Sequence, residues 1–274
     1  MDQYQTLKIS RETPTSSIFH LYLNRPSRHN ALSRQSFTEL ANALASLDQN
    51  PDVSVIILAA GGEHFCSGID LNSLSHITDH SSGDSARRSE GLRREIRLLQ
   101  NSINAIEQCR KPVIAGIHGA CIGAGIDVVT ACDIRVCTSD ASFSVKEIDL
   151  AIVADLGTLQ RLPGIVGYGN AMELALTGRR ISGQEAKALG LVSLVFGSKK
   201  EMEDGLRRIA EGIAAKSPLA VAGTKTVMIK SRDLGVDQGL DYVANWNSAM
   251  LLSEDLKEAV SAQIQRRTPT FSKL

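Results

Sequence analysis

Phe65-Cys66-Ser67-Gly68-Ile69-Asp70-Leu71 sits just after Val53-Ser54-Val55-Ile56-Ile57-Leu58-Ala59, a short apolar run suited to a buried strand. Gly61-Gly62 ends that strand. Beyond it, Gly68 before an apolar residue lets the backbone turn sharply and present an N–H group outward. A second stretch has the same character: His118-Gly119-Ala120-Cys121-Ile122-Gly123-Ala124-Gly125 reads as a small-residue turn from 119 to 125, running into a helix over 126–131. Small residues let a ligand approach the backbone, and a helix N-terminus favours negative charge. Two such N–H groups can clamp one developing oxyanion, where losing one donor typically costs about 3–4 kcal/mol of transition-state stabilisation.

A third stretch supplies acids: Lys146-Glu147-Ile148-Asp149-Leu150, then Ala154-Asp155-Leu156. Asp155 follows Ala151-Ile152-Val153-Ala154, which carries no charge and is expected to be buried. Asp127 lies in another apolar run, Ile126-Asp127-Val128-Val129. A carboxylate in an apolar pocket has its pKa raised, which suits proton transfer near neutral pH. Such a carboxylate can equally be a helix cap or an ion-pair partner, and Asp133 with Arg135 reads as a simple pair. The Gly cluster alone is also compatible with a tight packing turn.

Working outward, Ser17-Ile18-Phe19-His20-Leu21-Tyr22-Leu23 is β-prone and is broken by Asn24-Arg25-Pro26. Ser33 is placed to cap a helix over 35–47, with Phe37, Leu40, Ala41 and Leu44 on one face. Residues 75–89, rich in Ser, His and Asp, read as an exposed loop. Leu92, Ile96, Leu99, Ile103 and Ile106 then form a helical stripe, and Pro112-Val113-Ile114-Ala115-Gly116-Ile117 is a further buried strand. From 155 onward helical periodicity dominates, with helices expected over 171–176, 183–189, 202–213, 219–229, 238–251 and 254–265. Strand–helix alternation in front and helices behind predict an α/β core over residues 1–200 and a helical region over 201–274.

Composition removes several function classes. Lys+Arg and Asp+Glu both number 30, so no global field holds a polyanion such as nucleic acid. Five cysteines without a CxxC pair argue against a disulfide scaffold or a thiolate zinc site. The start, Met1-Asp2-Gln3-Tyr4, does not resemble a secretory signal, and no apolar run suits a membrane span. Ser272-Lys273-Leu274 matches the tripeptide read by the peroxisomal import receptor, so a peroxisomal location is expected. His76 and His80 have metal-like spacing without a third ligand; Gly123 and Gly125 lack the third Gly of a dinucleotide fingerprint, since Val128 stands there. Ser67, His118 and Asp133 make a triad only on paper, without a nucleophile-elbow sequence. Arg25, Arg28 and Lys225 can be written against CoA phosphates, but each reads more simply as a solvated surface charge.

Further matches fall in order along the chain: Asn24-Arg25-Pro26 with Asn30-Ala31-Leu32, Thr158-Leu159-Gln160-Arg161-Leu162-Pro163, the helices at 171–176 and 186–191 around Thr177-Gly178, and Glu254-Asp255 with Glu258-Ala259. With the two glycine-bearing stretches, they resemble the crotonase (enoyl-CoA hydratase/isomerase) superfamily over nearly the whole chain. Within it the likeness is to the dienoyl-CoA isomerase branch. That branch carries an Asp, a Glu twenty residues on and a second Asp eight further, matched here by Asp127, Glu147 and Asp155.

The resemblance implies an α/β spiral of repeated ββα units, a helical trimerisation region, and a homo-hexamer built as a dimer of trimers. It also implies isomerisation of a 3-trans,5-cis-dienoyl-CoA to the 2-trans,4-trans-dienoyl-CoA in fatty-acid β-oxidation. Ile69 and Ala124 would supply the oxyanion-hole N–H groups, and Cys66, Ser67, Gly68 and Asp70 would complete the substrate-binding loop. Glu147 is matched to carbon 2, Asp155 to carbon 6, and Asp127 to tuning of the pocket. No metal and no cofactor are expected, CoA being part of the substrate. Ala124 departs from the usual Gly, and a modest loss of rate is expected from its methyl group. The rival readings are an enoyl-CoA hydratase, for which an acid at 155 has no role, and a non-catalytic crotonase-fold protein that binds acyl-CoA or RNA.

Overall fold

Apolar runs at 55–60 and 113–117 make the centre of the sheet because both of their faces are covered. The computed structural model describes residues 4–73 and 84–274. In it β1 (Leu7–Arg11), β2 (Ile18–Leu23), β3 (Val55–Ala60), β4 (Val113–Ile117), β6 (Ile134–Thr138) and β9 (Leu194–Phe196) form one sheet in that order. β1 joins β2 antiparallel, and the rest pair in parallel. Period-two alternation sends Ile56 and Leu58 of β3 into the larger core, and Val55 and Ile57 into a second cluster with Ile18, Ile114 and Val136. A strand buried on both sides reads as an unbroken apolar run, which is what the sequence carries.

Helix α1 (Arg34–Gln49) covers the first face with Phe37, Leu40, Ala43, Leu44 and Leu47. Its start is fixed by Ser33, whose hydroxyl accepts from the Ser36 amide while Ser36 answers to the Ser33 amide. Helix α2 (Ser85–Gln108) packs beside α1 and buries Ile103 and Ile106. The second face is covered by α7 (Lys199–Ala214) through Met202, Leu206 and Ala210. It packs so closely that a side chain at Gly116 would begin 2.5 Å from Leu206 Cδ1.

A smaller sheet holds β5 (Ala120–Ile122), β7 (Ser142–Ser144) and β8 (Ile181–Ser182). Between its strands the chain forms α3 (Ala124–Ala131), α4 (Thr158–Val166) and α5 (Tyr168–Thr177), and after it α6 (Gly183–Ala188). Three helices close the chain: α8 (Pro218–Ser231), α9 (Val236–Met250) and α10 (Glu254–Gln265). In the single chain α9 buries no residue fully and α10 only Ala262, while Leu240, Leu251, Leu252, Val260 and Ile264 stay exposed.

Several expectations need correction. Residues 85–89, read as loop, are helical, because Asp84 caps α2 by accepting from the Arg87 amide. The rest of that loop, with His76 and His80, lies outside the described residues. Residues 120–122, read as turn, form β5 because they pair in parallel with Ser142–Ser144, with Cys66 also bridging to Cys121. Asp133 pairs with Lys225 at 2.7 Å and not with Arg135, whose guanidinium is taken up by the carbonyls of Leu191, Val129 and Cys132. Lys225 is accordingly a buried side chain and not a surface charge.

Candidate active site

The two glycine-bearing stretches are laced together by backbone bonds. The Phe65 amide donates to His118 O, the Cys66 amide to Ala120 O, and the Ile122 amide to Cys66 O. On the other side the Leu32 amide donates to Gly68 O at 2.8 Å and the Asp70 amide to Leu32 O at 2.9 Å. The Ile69 N–H falls between these two bonds and points out of the ladder. Gly68 makes the turn at φ +105°, and a side chain there would begin 3.3 Å from Ile122 O and 4.0 Å from the Ala124 amide. Ala124 is the first residue of α3, so its N–H has no partner within the helix. Two outward amides, Ile69 and Ala124, are thus carried on adjoining segments.

Among the other loop residues matched to substrate binding, Ser67 is exposed and Cys66 wholly buried, its sulfur against Gly68. Asp70 accepts from Arg25 at 2.9 Å, and that guanidinium holds its carboxyl below the usual range. Arg28 is exposed.

The acids gather around the two amides. Glu147 opens a 3-10 turn, Glu147–Leu150, which is held against the end of α5 where Ser144 Oγ and Lys146 Nζ both donate to Gly178 O. Its Oε1 lies 3.4 Å from where a side chain on Gly123 would begin, next to Ala124. Its Oε2 is buried and has no hydrogen-bond partner among the described residues. Burial raises the Glu147 pKa, and the nearby Asp155 charge adds to the rise. Asp127, on α3, is 1% exposed, and its Oδ1 accepts from the Thr158 amide and hydroxyl, both at 2.7 Å. Burial, with repulsion from Glu147 and Asp155 added against those two bonds, pushes its pKa up to about 7.

Asp155 differs from expectation. Ala151, Ile152 and Val153, read as buried, are exposed in the single chain, and so is Asp155 itself; Ala154 alone of that run is buried. The segment leaves a left-handed turn at Ala151 and crosses the surface before α4 begins, which leaves its apolar side chains exposed. Protein atoms on its inner side still strip enough water from Asp155 to raise its carboxyl above the ordinary range. Gln100 of α2 grips this segment, donating to Asp155 O at 2.7 Å. Gln100 had no local signal in the sequence, because the contact spans 55 positions.

Carboxyls of raised proton affinity beside two free amides can move protons next to a polarised carbonyl. The paper triad does not assemble: His118 Nε2 meets Gly62 O and Lys199 Nζ, while Asp133 is bound to Lys225. Among the described residues no three His, Cys, Asp or Glu side chains group as metal ligands would, and no helix is long and apolar enough to cross a membrane. All five cysteines are free and buried.

Comparison with known proteins identifies the family. The enoyl-CoA hydratase/isomerase family profile matches residues 13–273. The peroxisomal Delta(3,5)-Delta(2,4)-dienoyl-CoA isomerase of Arabidopsis thaliana is 67% identical, over 100% of this chain and 99% of its own length. The mitochondrial Delta(3,5)-Delta(2,4)-dienoyl-CoA isomerase of Homo sapiens is 42% identical, over 99% of this chain and 84% of its own. Among solved structures, an enoyl-CoA hydratase from Bacillus anthracis superposes with a TM-score of 0.88 at 32% identity, covering 98% of this chain and 99% of that one.

Proposed function

The chain belongs to the enoyl-CoA hydratase/isomerase family, and from that premise we propose that it converts a 3,5-dienoyl-CoA to the conjugated 2,4-dienoyl-CoA in the peroxisome. The name of the Arabidopsis relative, 67% identical along the whole chain, supports both the reaction and the compartment. The observation that carries the chemistry is the Glu147 carboxylate, with Oε1 beside the Gly123-Ala124 turn, Oε2 buried without a partner among the described residues, and Asp155 within electrostatic reach.

The thioester oxygen accepts from the N–H groups of Ile69 and Ala124. Glu147, ionised, takes a proton from carbon 2, and the electron pair moves into the carbonyl to give a dienolate. Asp155, neutral, gives a proton to carbon 6, and the double bonds settle at carbons 2 and 4. One proton leaves and one arrives, so the substrate is isomerised without a co-reactant. Two acids are needed because carbons 2 and 6 lie too far apart for one short carboxylate. Asp127 tunes the pocket. The loop from Cys66 to Asp70 flanks the thioester. No cofactor or metal is assigned, because the thioester is itself the electron sink.

Residues 1–200 carry this chemistry and 201–274 the association surface, where the exposed apolar side chains of α9 and α10 suit trimers paired into a hexamer. The import receptor is assigned to Ser272, Lys273 and Leu274; Ser272 and Lys273 are exposed, and Leu274 is half-buried with its carbonyl on Lys111 Nζ.

The test is the ultraviolet absorbance of purified protein mixed with 3,5-octadienoyl-CoA. A rising conjugated-thioester band is expected. Its absence, beside rapid hydration of a 2-enoyl-CoA, would move the protein to the hydratases.

A further inference from the structure

Asp127 comes three residues after Ala124, and Thr158 three residues after Asp155. The Asp127–Thr158 contact therefore joins the helix that begins with one oxyanion amide to the segment that carries the distal acid. Its two bonds, amide and hydroxyl to a single carboxylate oxygen, are both 2.7 Å, and Thr158 is 0% exposed.

The chain on either side of Asp155 is anchored by Ala154 and Leu156, both buried in the core, while residues 151–153 are exposed. The Asp155 backbone carbonyl is held by Gln100 at 2.7 Å. Between Asp155 and Thr158, Gly157 turns at φ +127° directly over Arg161, where a side chain would begin 1.9 Å from Nη1. Arg161 is in turn fixed by Asn104 at 2.6 Å and by Glu107 at 3.3 Å. Glu147 reaches the two amides by a separate route, through Gly123.

We propose that Thr158 and Gln100 are positioning residues that fix Asp155 relative to the thioester clamp, and so control proton delivery at carbon 6 while leaving proton removal at carbon 2 untouched. Thr158 acts through Asp127, and Gln100 through the Asp155 carbonyl. The inference rests on the isomerase reading. A merely structural Thr158 would change stability or overall rate, but not the balance between the two proton transfers.

The test uses the full chain with 3,5-octadienoyl-CoA in D2O, following conjugation by absorbance and loss of the carbon-2 hydrogen from unconverted substrate by mass spectrometry. Thr158→Val and Gln100→Ala are expected to slow conjugation by about tenfold to a hundredfold, as a misplacement near 1 Å would. Carbon-2 exchange should persist in both, and Thr158→Ser, which keeps the hydroxyl, should restore the wild-type ratio. If Thr158→Val does not fold, Gln100→Ala and Thr158→Ser decide. An unchanged ratio of conjugation to exchange in Gln100→Ala, and in Thr158→Val where it folds, overturns the proposal and leaves the isomerase reading standing. A wild-type protein that conjugates no 3,5-dienoyl-CoA overturns the reading and the proposal together.

Discussion

Cys66 occupies the space that a side chain on Gly125 would need: an added Cβ would lie 3.0 Å from Cys66 Cβ and 3.2 Å from Cys66 O. The glycine thus lets α3 dock against the first loop, and that docking sets how far apart the Ile69 and Ala124 amides stand. Gly125→Ala should push the two segments apart, cost about 1–3 kcal/mol through overpacking, and lower the turnover rate about a hundredfold through misplacement of the amides. Steady-state kinetics beside urea denaturation separate the two effects. Full activity in a destabilised variant would show that the spacing tolerates the shift.

Buried Lys225 and half-buried Asp133 pair where β4 and β6 begin. The ammonium also lies 3.3 Å from the carbonyls of Ile106 and Lys111, and Asp133 also accepts from the Val113 amide at 2.7 Å. Lys225→Met strands the carboxylate, and a loss of about 3–5 kcal/mol is expected by urea denaturation at neutral pH. Adding Asp133→Asn should recover part of it, because no uncompensated charge then remains. An unaltered unfolding midpoint in the single variant would mean that water reaches the site.

Asp127 links stability to pH. Its folded-state pKa is raised from 3.8 to about 7, so the stability contributed by its protonated form is fully present below 3.8 and lost as pH rises through about 7. The whole difference is on the order of 4 kcal/mol. Asp127→Asn keeps an acceptor for Thr158 and does not titrate. Its unfolding free energy relative to wild type should therefore rise in its favour between pH 5 and pH 8 and level off above. A gap that stays constant with pH would contradict the buried-acid picture.

Ala124 is buried, and a Gly in its place would keep the same N–H without the methyl. Ala124→Gly should change the rate by less than about tenfold, since the N–H is a backbone group. A hundredfold gain in kcat would mark the methyl as a true obstruction.

What the sequence disclosed followed from interactions close along the chain. Ser33 was legible as a cap because its partner, Ser36, is three residues away. The helix at 254–265 was read to its ends, and the strand at 113–117 announced itself after Pro112. Strands of two or three residues, β5, β7, β8 and β9, went unread because period-two alternation needs a longer run, and partners such as Cys66 create them. Helix α4 carries Pro163 inside it and so broke the helical pattern. The exposure of Ala151 to Val153 and the burial of Lys225 are tertiary outcomes, with no trace in local hydropathy. The acids stood out by their apolar neighbours, and the resemblance supplied their roles. Their mutual approach depends on Thr158, Gly178 and Gln100, which act across long sequence separations.

The division of labour proposed for Glu147 at carbon 2 and Asp155 at carbon 6 separates two proton transfers that isotope labelling can follow one at a time. The most direct test is NMR of 3,5-octadienoyl-CoA in D2O with wild-type, Glu147→Gln and Asp155→Asn protein. Wild type should place deuterium at carbon 6 of the 2,4-dienoyl product. Asp155→Asn should exchange the carbon-2 hydrogen without forming product, and Glu147→Gln should do neither. Product formation at the wild-type rate in Asp155→Asn, or undiminished carbon-2 exchange in Glu147→Gln, would contradict the account.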